Sequence, residues 1–313
     1  MKVVLSPNPY RDRGLRAAQF ARRVLERSGV EAVICLPFEL DEGSRLELPA
    51  DQPLGRLAQE LEGADVLVCF GGDGTILHSA REATARNVPV LGVNLGSIGF
   101  MAELEHNELS LLSRLAGGRF GVERRMMLDV TVRREGRPVF TESALNDAVV
   151  TKGAVARVLD LEVTGDRVVI SSFSGDGLVV ATPTGSTAYS MAAGGPIVEP
   201  TAQNIIISPI CAHSLHAKPF VLDSARTVGV RVAPGSKKTA YLSVDGGRAF
   251  RIQPGDWVEC RRSRQVTRLV RSPMMAPMAS ITMDLPAPVS PVSTLKPRSK
   301  VMSASEITAI FSM

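Results

Sequence analysis

Short β-branched runs alternate with amphipathic stretches through the first third of the chain. Val3–Leu5 reads as a strand that stops in the turn-forming Ser6-Pro7-Asn8-Pro9. Apolar residues then recur at Ala17, Phe20, Ala21, Val24 and Leu25, the spacing of one helical face. That spacing predicts a helix over Arg13–Ser28, with Gly29 at the position that ends it. Val30–Cys35 is the next predicted strand and Leu54–Leu61 the next helix. Asp65–Phe70 is almost wholly apolar, as expected of a strand covered on both faces. A helix over Ile76–Arg86 and a buried strand over Val88–Val93 follow. Strands and helices in alternation predict βαβ units and a parallel sheet.

Near residue 120 the pattern changes. Val122 to Val270 is strand-rich, with polar and apolar residues alternating in Leu128-Asp129-Val130-Thr131-Val132. Turn signals stand at Glu135-Gly136, Thr164-Gly165-Asp166, Pro234-Gly235 and Pro254-Gly255, which predicts an all-β second domain, a sandwich or folded-over sheet. The expected organisation is an α/β domain over 1–120, a β-rich domain over 121–271 and a tail over 272–313. The tail holds six Met, six Pro and eight Ser but no Gly, and reads as poorly ordered.

Composition narrows the function classes. The chain has 313 residues, of which 44% are hydrophobic and 22% charged, so two domains with real cores are expected. A net charge of +4 is too weak a bias for a nucleic-acid binder, yet is compatible with anionic ligands. No apolar run approaches the ~18 residues that span a bilayer, so no membrane association is expected. The opening segment passes from one short apolar run to charge, unlike a signal peptide. Cys35, Cys69, Cys211 and Cys260 have no metal-site spacing and read as buried apolar residues of a reduced, cytoplasmic protein. His213 and His216 lack a third ligand nearby and are expected to serve packing, with no metal site.

The chemistry concentrates in glycine-rich turns. Gly71-Gly72-Asp73-Gly74-Thr75 joins a buried strand to a helix, at the strand ends where open α/β sheets bind ligands. Glycines let backbone approach a phosphate and the helix start offers free N–H donors. Asp73 would repel an anion; it makes sense if it faces a hydroxyl that attacks phosphorus, or a metal ion. A tight turn with an Asp cap is the plain structural alternative. The chain has no Gly-Lys dipeptide, which excludes a Walker A loop, and the glycines of Asn94-Leu95-Gly96-Ser97-Ile98-Gly99-Phe100 do not fit G-x-G-x-x-G. A third segment, Thr182-Pro183-Thr184-Gly185-Ser186-Thr187-Ala188-Tyr189-Ser190, offers hydroxyls suited to ribose and phosphate oxygens and a tyrosine that can lie against a base. Asn146-Asp147 at a strand start has the donors and acceptors to grip a vicinal diol, or simply marks a turn.

Together GGDGT (71–75), NLGSIGF (94–100), ERRMML (123–128), ALND (144–147), the segment 176–197 and 208–220 resemble, in order, the blocks of the NAD kinase family. The resemblance covers Lys2 to Val270. GGDG alone is shared with lipid and sugar kinases, whereas TPTGSTAYS with the Asn-acidic pair is more specific. The resemblance implies transfer of the γ-phosphoryl group of ATP to the 2′-hydroxyl of the adenosine ribose of NAD. It also implies an α/β N-terminal domain with a parallel sheet, an all-β C-terminal domain, a Mg²⁺ or other divalent cation with ATP, and a homo-oligomer (dimer or tetramer). By motif match Asp73 is the proton acceptor, Gly74 contacts the dinucleotide, and Asn146 and Asp147 hold a ribose. Asp176 would lie near the nicotinamide half, while Thr187, Ala188, Tyr189, Ser190, Met191 and Ala192 would line the adenine side. Phe100 would wall the base, and His78 and Arg157 stand where the family often has polar contacts. Two departures are visible. Asp245-Gly246-Gly247 matches a family turn whose third residue is often Gln, a side chain Gly247 lacks, and Ser272–Met313 shows no sign of the family's short element that packs back onto the N-terminal domain. A GGDG-type lipid or sugar kinase and a non-catalytic NAD-binding sensor are the alternatives.

Overall fold

In the computed structural model, residues 1–38, 48–49, 54–96, 99–118, 120–153, 158–214, 216–233 and 238–271 are described. Arg157, the Pro234-Gly235 turn and the tail over 272–313 lie outside the described residues. The apolar runs of the first third form strands β1 (Lys2–Pro7), β2 (Glu31–Leu36), β3 (Gly55–Arg56), β4 (Val66–Gly71), β5 (Val90–Asn94) and β6 (Leu104–Glu105). Between them run helices α1 (Arg16–Arg27), α2 (Leu57–Glu60) and α3 (Asp73–Ala85). A 3₁₀ stretch, His106–Gly117, ends this lobe. All pairings among β1 to β6 are parallel. Two predicted helices differ in detail. The segment predicted as a helix over Leu54–Leu61 opens as β3, because Gly55 and Arg56 pair with Cys35 and Leu36. Helix α3 starts at Asp73, inside the glycine turn, three residues before the apolar period begins.

Among the described residues the second lobe is all-β apart from a 3₁₀ turn, Thr184–Thr187, and the one-turn α4 (Tyr189–Ala192). Its strands are β7 (Gly121–Arg134), β8 (Arg137–Ala144), β9 (Asp147–Lys152), β10 (Leu159–Gly165), β11 (Val168–Gly175) and β12 (Gly177–Ala181). Beyond them come β13 (Asn204–Ile210), β14 (Phe220–Asp223), β15 (Val228–Val232), β16 (Ala240–Val244), β17 (Phe250–Ile252) and β18 (Trp257–Arg271). One sheet runs β14-β13-β12-β9-β16-β17. The other includes β7, β8, β10, β11, β15 and β18. Alternate residues of both sheets, among them Leu128, Val130, Leu161, Val150, Leu178 and Leu242, meet in one core, the arrangement of a sandwich.

The sheet does not stop at the lobe boundary. Strand β18 pairs antiparallel with β7 and β15, and its far end continues parallel to β5 at Leu269 and Val90. The parallel sheet and one layer of the sandwich are thus a single sheet. Helix α3 lies across the junction, burying Ile76 and Ala80 among Leu67 and Val90 of its own lobe and Met127, Leu145 and Leu269 of the other. A buried hydroxyl pair, Thr84 to Thr267 at 2.9 Å, ties the end of α3 to β18. Among the described residues no helix is long and apolar enough to cross a membrane. Cys35, Cys69 and Cys260 are buried, and burial pushes their thiols up to about 12. Cys211 corrects the expectation: it is exposed, in a left-handed conformation (φ 45°), in the turn that leaves the sheet after β13. His213 and His216 are exposed as well, not buried in a core.

Close packing under α3 is testable at Gly92. A Cβ there would lie 2.5 Å from Ile76 Cδ1 and 2.9 Å from the Ala102 Cα. Gly92→Ala is expected to cost about 1–3 kcal/mol, read as a lowered melting temperature. An unchanged melting temperature would mean that α3 is not pressed against β5.

Candidate active site

Strands β4 and β5 pair with Gly71 opposite Asn94, so the two glycine-bearing turns leave the sheet side by side. Helix α3 begins directly beyond β4, which puts Asp73 in its first turn. The Asp73 carboxylate accepts the backbone N–H of Phe100 at Oδ2 and that of Met101 at Oδ1, both at 3.1 Å. These bonds fix the carboxylate in one plane and leave its remaining lone pairs free. Gly71 is required for a steric reason: a Cβ there would stand 2.5 Å from Thr75 Oγ1. That hydroxyl accepts from Asn8 Nδ2 at 2.9 Å, which ties the loop after β1 to the turn. Asn94 secures the neighbouring turn, accepting from Gly96 N–H at 2.9 Å and donating to the Glu105 carboxylate.

The facing wall comes from one rim of the sandwich. Asp147 of β9 pairs with Ala181 of β12, which brings the turn before β9 against the hydroxyl-rich segment after β12. Thr182 donates from Oγ1 to the Leu145 carbonyl at 2.6 Å and accepts from Gly185 N–H at 3.1 Å. Gly185 packs so closely that a Cβ would come within 2.2 Å of the Asn146 carbonyl oxygen, leaving glycine as the one residue that fits. Behind Thr184 lies Arg125, which is 3% exposed, donates to Thr184 Oγ1 at 3.2 Å and is ion-paired with Glu123. Burial lowers the Arg125 pKa, against the opposing pull of Glu123. Arg271, at the end of β18, bridges Glu123 to Glu103 of the N-terminal lobe, so charge pairs join the lobes behind the wall.

A cavity of about 340 Å³ opens between these walls. Asp73, Phe100 and Met101 line it from the N-terminal lobe; Asn146, Thr184, Thr187 and Ala188 line it from the sandwich. Asn146 Oδ1 is buried and has no hydrogen-bond partner. The site thus joins a fixed carboxylate, an asparagine, two threonines and a half-exposed phenyl ring. That set suits a sugar hydroxyl and the face of a base.

Comparison with known proteins matches this architecture to one family. The ATP-NAD kinase N-terminal domain matches residues 22–119 and the ATP-NAD kinase C-terminal domain residues 145–272. The chain belongs to the ATP-NAD kinase family. It is 35% identical over 276 residues to the NAD kinase of Acetivibrio thermocellus, covering 88% of this chain and 92% of that protein. It is 42% identical over 250 residues to that of Symbiobacterium thermophilum, covering 80% and 86%. An NAD kinase from Archaeoglobus fulgidus, solved in complex with ATP, superposes with a TM-score of 0.68 at 26% identity, covering 87% of this chain and 94% of that one. The α/β lobe followed by an all-β lobe is the expected ATP-NAD kinase arrangement.

In this ATP-NAD kinase family member the cavity gathers Asp73, Phe100, Asn146, Thr187 and Ala188 of the residues singled out by sequence. Gly74 is exposed at the start of α3, and Asp147 is buried immediately behind Asn146. His78 is exposed and turned towards Phe38, their rings edge-on at 6.0 Å. Tyr189, Met191 and Ala192 are exposed beyond the cavity, whereas Ser190 is buried against the Ser208 hydroxyl at 2.9 Å. Asp176 is at the opposite end of β12, ion-paired with Lys152 at 2.6 Å. Met101 and Thr184 were not singled out. Thr184 was visible as one of the hydroxyls of the 182–190 segment, while Met101 contributes a backbone N–H that no side-chain pattern announces. Among the described residues no group of three or more His, Cys, Asp or Glu side chains is arranged to hold a metal ion.

Burial, reinforced by the charge of nearby Asp245, pushes the Asp147 carboxyl up to about 7. The folded chain therefore retains a proton that the unfolded chain releases in the ordinary carboxylate range. This contribution is fully present in acid and is lost as pH rises towards 7. Asp147→Asn, a neutral isostere, is expected to gain melting temperature relative to the parent as pH rises from about 5 to about 8. A gap between the two proteins that stays constant with pH would place the titration elsewhere.

Proposed function

We propose that this chain transfers the γ-phosphoryl group of ATP to the 2′-hydroxyl of the adenosine ribose of NAD, giving NADP. The observation that carries this reading is the single cavity in which Asp73 faces the Asn146 amide and the Thr184 and Thr187 hydroxyls. In the reaction the ribose oxygen forms a bond to the γ-phosphorus while the bond from that phosphorus to the bridging oxygen of ADP breaks. The hydroxyl proton passes to Asp73. A carboxylate is a weak base for a sugar hydroxyl, but phosphoryl transfer runs through a loose transition state in which the nucleophile needs little activation. Asp73 therefore acts mainly by orientation, its plane held by the Phe100 and Met101 N–H groups, and takes the proton late. Asn146 lines the wall opposite Asp73, and Phe100 offers a face to the base.

A Mg²⁺ or other divalent cation entering with ATP would neutralise phosphate charge. Such an ion would be held mainly by the substrate phosphates, leaving the Asp73 carboxylate to the ribose hydroxyl. We also expect a homo-oligomer (dimer or tetramer), as membership of the ATP-NAD kinase family implies. Cytoplasmic residence agrees with four cysteines that form no disulfide. The hydroxyls on the sandwich wall do not suit a lipid acceptor, which favours NAD over the substrates of other GGDG kinases.

Incubation with ATP, Mg²⁺ and NAD is expected to yield NADP, scored with an NADP-specific dehydrogenase. Binding of NAD without product would identify a sensor instead. Asp73→Asn is expected to lose about 100-fold or more in kcat while its Kd for NAD changes little. Near-parental turnover in that variant would remove Asp73 from the chemistry.

A further inference from the structure

We infer that Asp245 is a positioning residue for the acceptor site, holding the Leu145–Asp147 backbone so that Asn146 keeps its place in the cavity wall. This rests on the reading of that cavity as the NAD site. Asp245 follows β16 in a left-handed conformation (φ 49°), and its own N–H donates to the Asp147 carbonyl at 2.9 Å. Its carboxylate accepts three consecutive backbone N–H groups: Leu145 at 2.7 Å, Asn146 at 2.8 Å and Asp147 at 3.0 Å. Three donors converging on one side chain need both oxygens of a carboxylate, because an amide offers a single acceptor. From the other side Thr182 binds the Leu145 carbonyl at 2.6 Å. The turn that carries Asn146 is thus clamped between two side chains, neither of which lines the cavity.

Asp245 also connects this turn to the helix of Asp73. Arg81, on α3, draws the Asp245 carboxyl towards its charged form, and Arg81 is itself ion-paired with Glu142 of β8. Burial raises the Asp245 pKa against these pulls. The charged groups that bear on Asp147 are therefore Asp245 directly, with Arg81 and Glu142 behind it. Removing the Asp245 charge removes one of the two causes that raise Asp147.

Steady-state NADP formation is measured for the full chain and for Asp245→Asn, at varied NAD, varied ATP and from mildly acid to mildly alkaline pH. The expected result is a KM for NAD raised about ten-fold, with KM for ATP and kcat within about three-fold. The pH profile of kcat/KM for NAD is expected to move towards acid, because Asp147 no longer faces a like charge. Unfolding alone would not separate the two substrates or move that profile. Should Asp245→Asn fail to fold, Arg81→Gln reads the same coupling and is expected to raise KM for NAD about three-fold. An unchanged KM for NAD in the folded variant, or equal rises for both substrates, overturns the inference. Parental protein that makes no NADP overturns the function on which it rests.

Discussion

Backbone hydrogen bonding along Trp257–Arg271 is the constraint on which the site depends. That strand is antiparallel to β7 from Trp257 to Arg271 and also pairs with β5 at Leu269, so one stretch of chain belongs to both lobes. A cavity made by two independently moving bodies would vary in width with their motion. Here the sheet is continuous, and α3 covers the seam with side chains buried against both halves. The residue that opens α3 is Asp73, and the residue next to its cross-lobe contact Leu145 is Asn146. Packing that is largely apolar thereby sets the separation of the two polar groups that the chemistry needs.

The polar scaffold acts in the same direction. Asp73 is held by two N–H groups, and the opposite turn by a carboxylate and a hydroxyl. Such groups are arranged before substrate arrives, so little reorganisation is required when charge shifts in the transition state. Two glycines make the geometry possible by omission. Gly71 leaves room for the Thr75 hydroxyl and Gly185 lets the TPTGST turn press onto the Asn146 carbonyl. Behind the wall, Arg125 with Glu123, Glu103 and Arg271 keeps buried charges paired across the lobes.

Much of this was legible in the sequence. Wholly apolar Val66–Phe70 could only be a covered strand, and the change of period near residue 120 marked the change from α/β to β. The GGDGT turn was placed by its glycines, and the hydroxyl segment by its composition. What escaped were features set by pairing and not by period. Gly55 and Arg56 join the sheet because β2 lies beside them, although the local pattern is helical. Continuity of β18 into the parallel sheet rests on its last few residues and has no local signature. Cys211 looked like a core residue by type, yet a left-handed turn carries it to the surface. Asp245 was visible as part of a turn, but three N–H groups from a segment a hundred residues earlier cannot be read from spacing.

The central claim is that the adenosine ribose of NAD lies between Asp73 and Asn146. A crystal structure of the full chain with NAD tests it most directly. The account predicts the 2′-hydroxyl within about 3.2 Å of an Asp73 carboxylate oxygen, with the ribose against the wall that Asn146 lines. Adenosine bound elsewhere, with Asp73 still engaged only by the Phe100 and Met101 N–H groups, would contradict it.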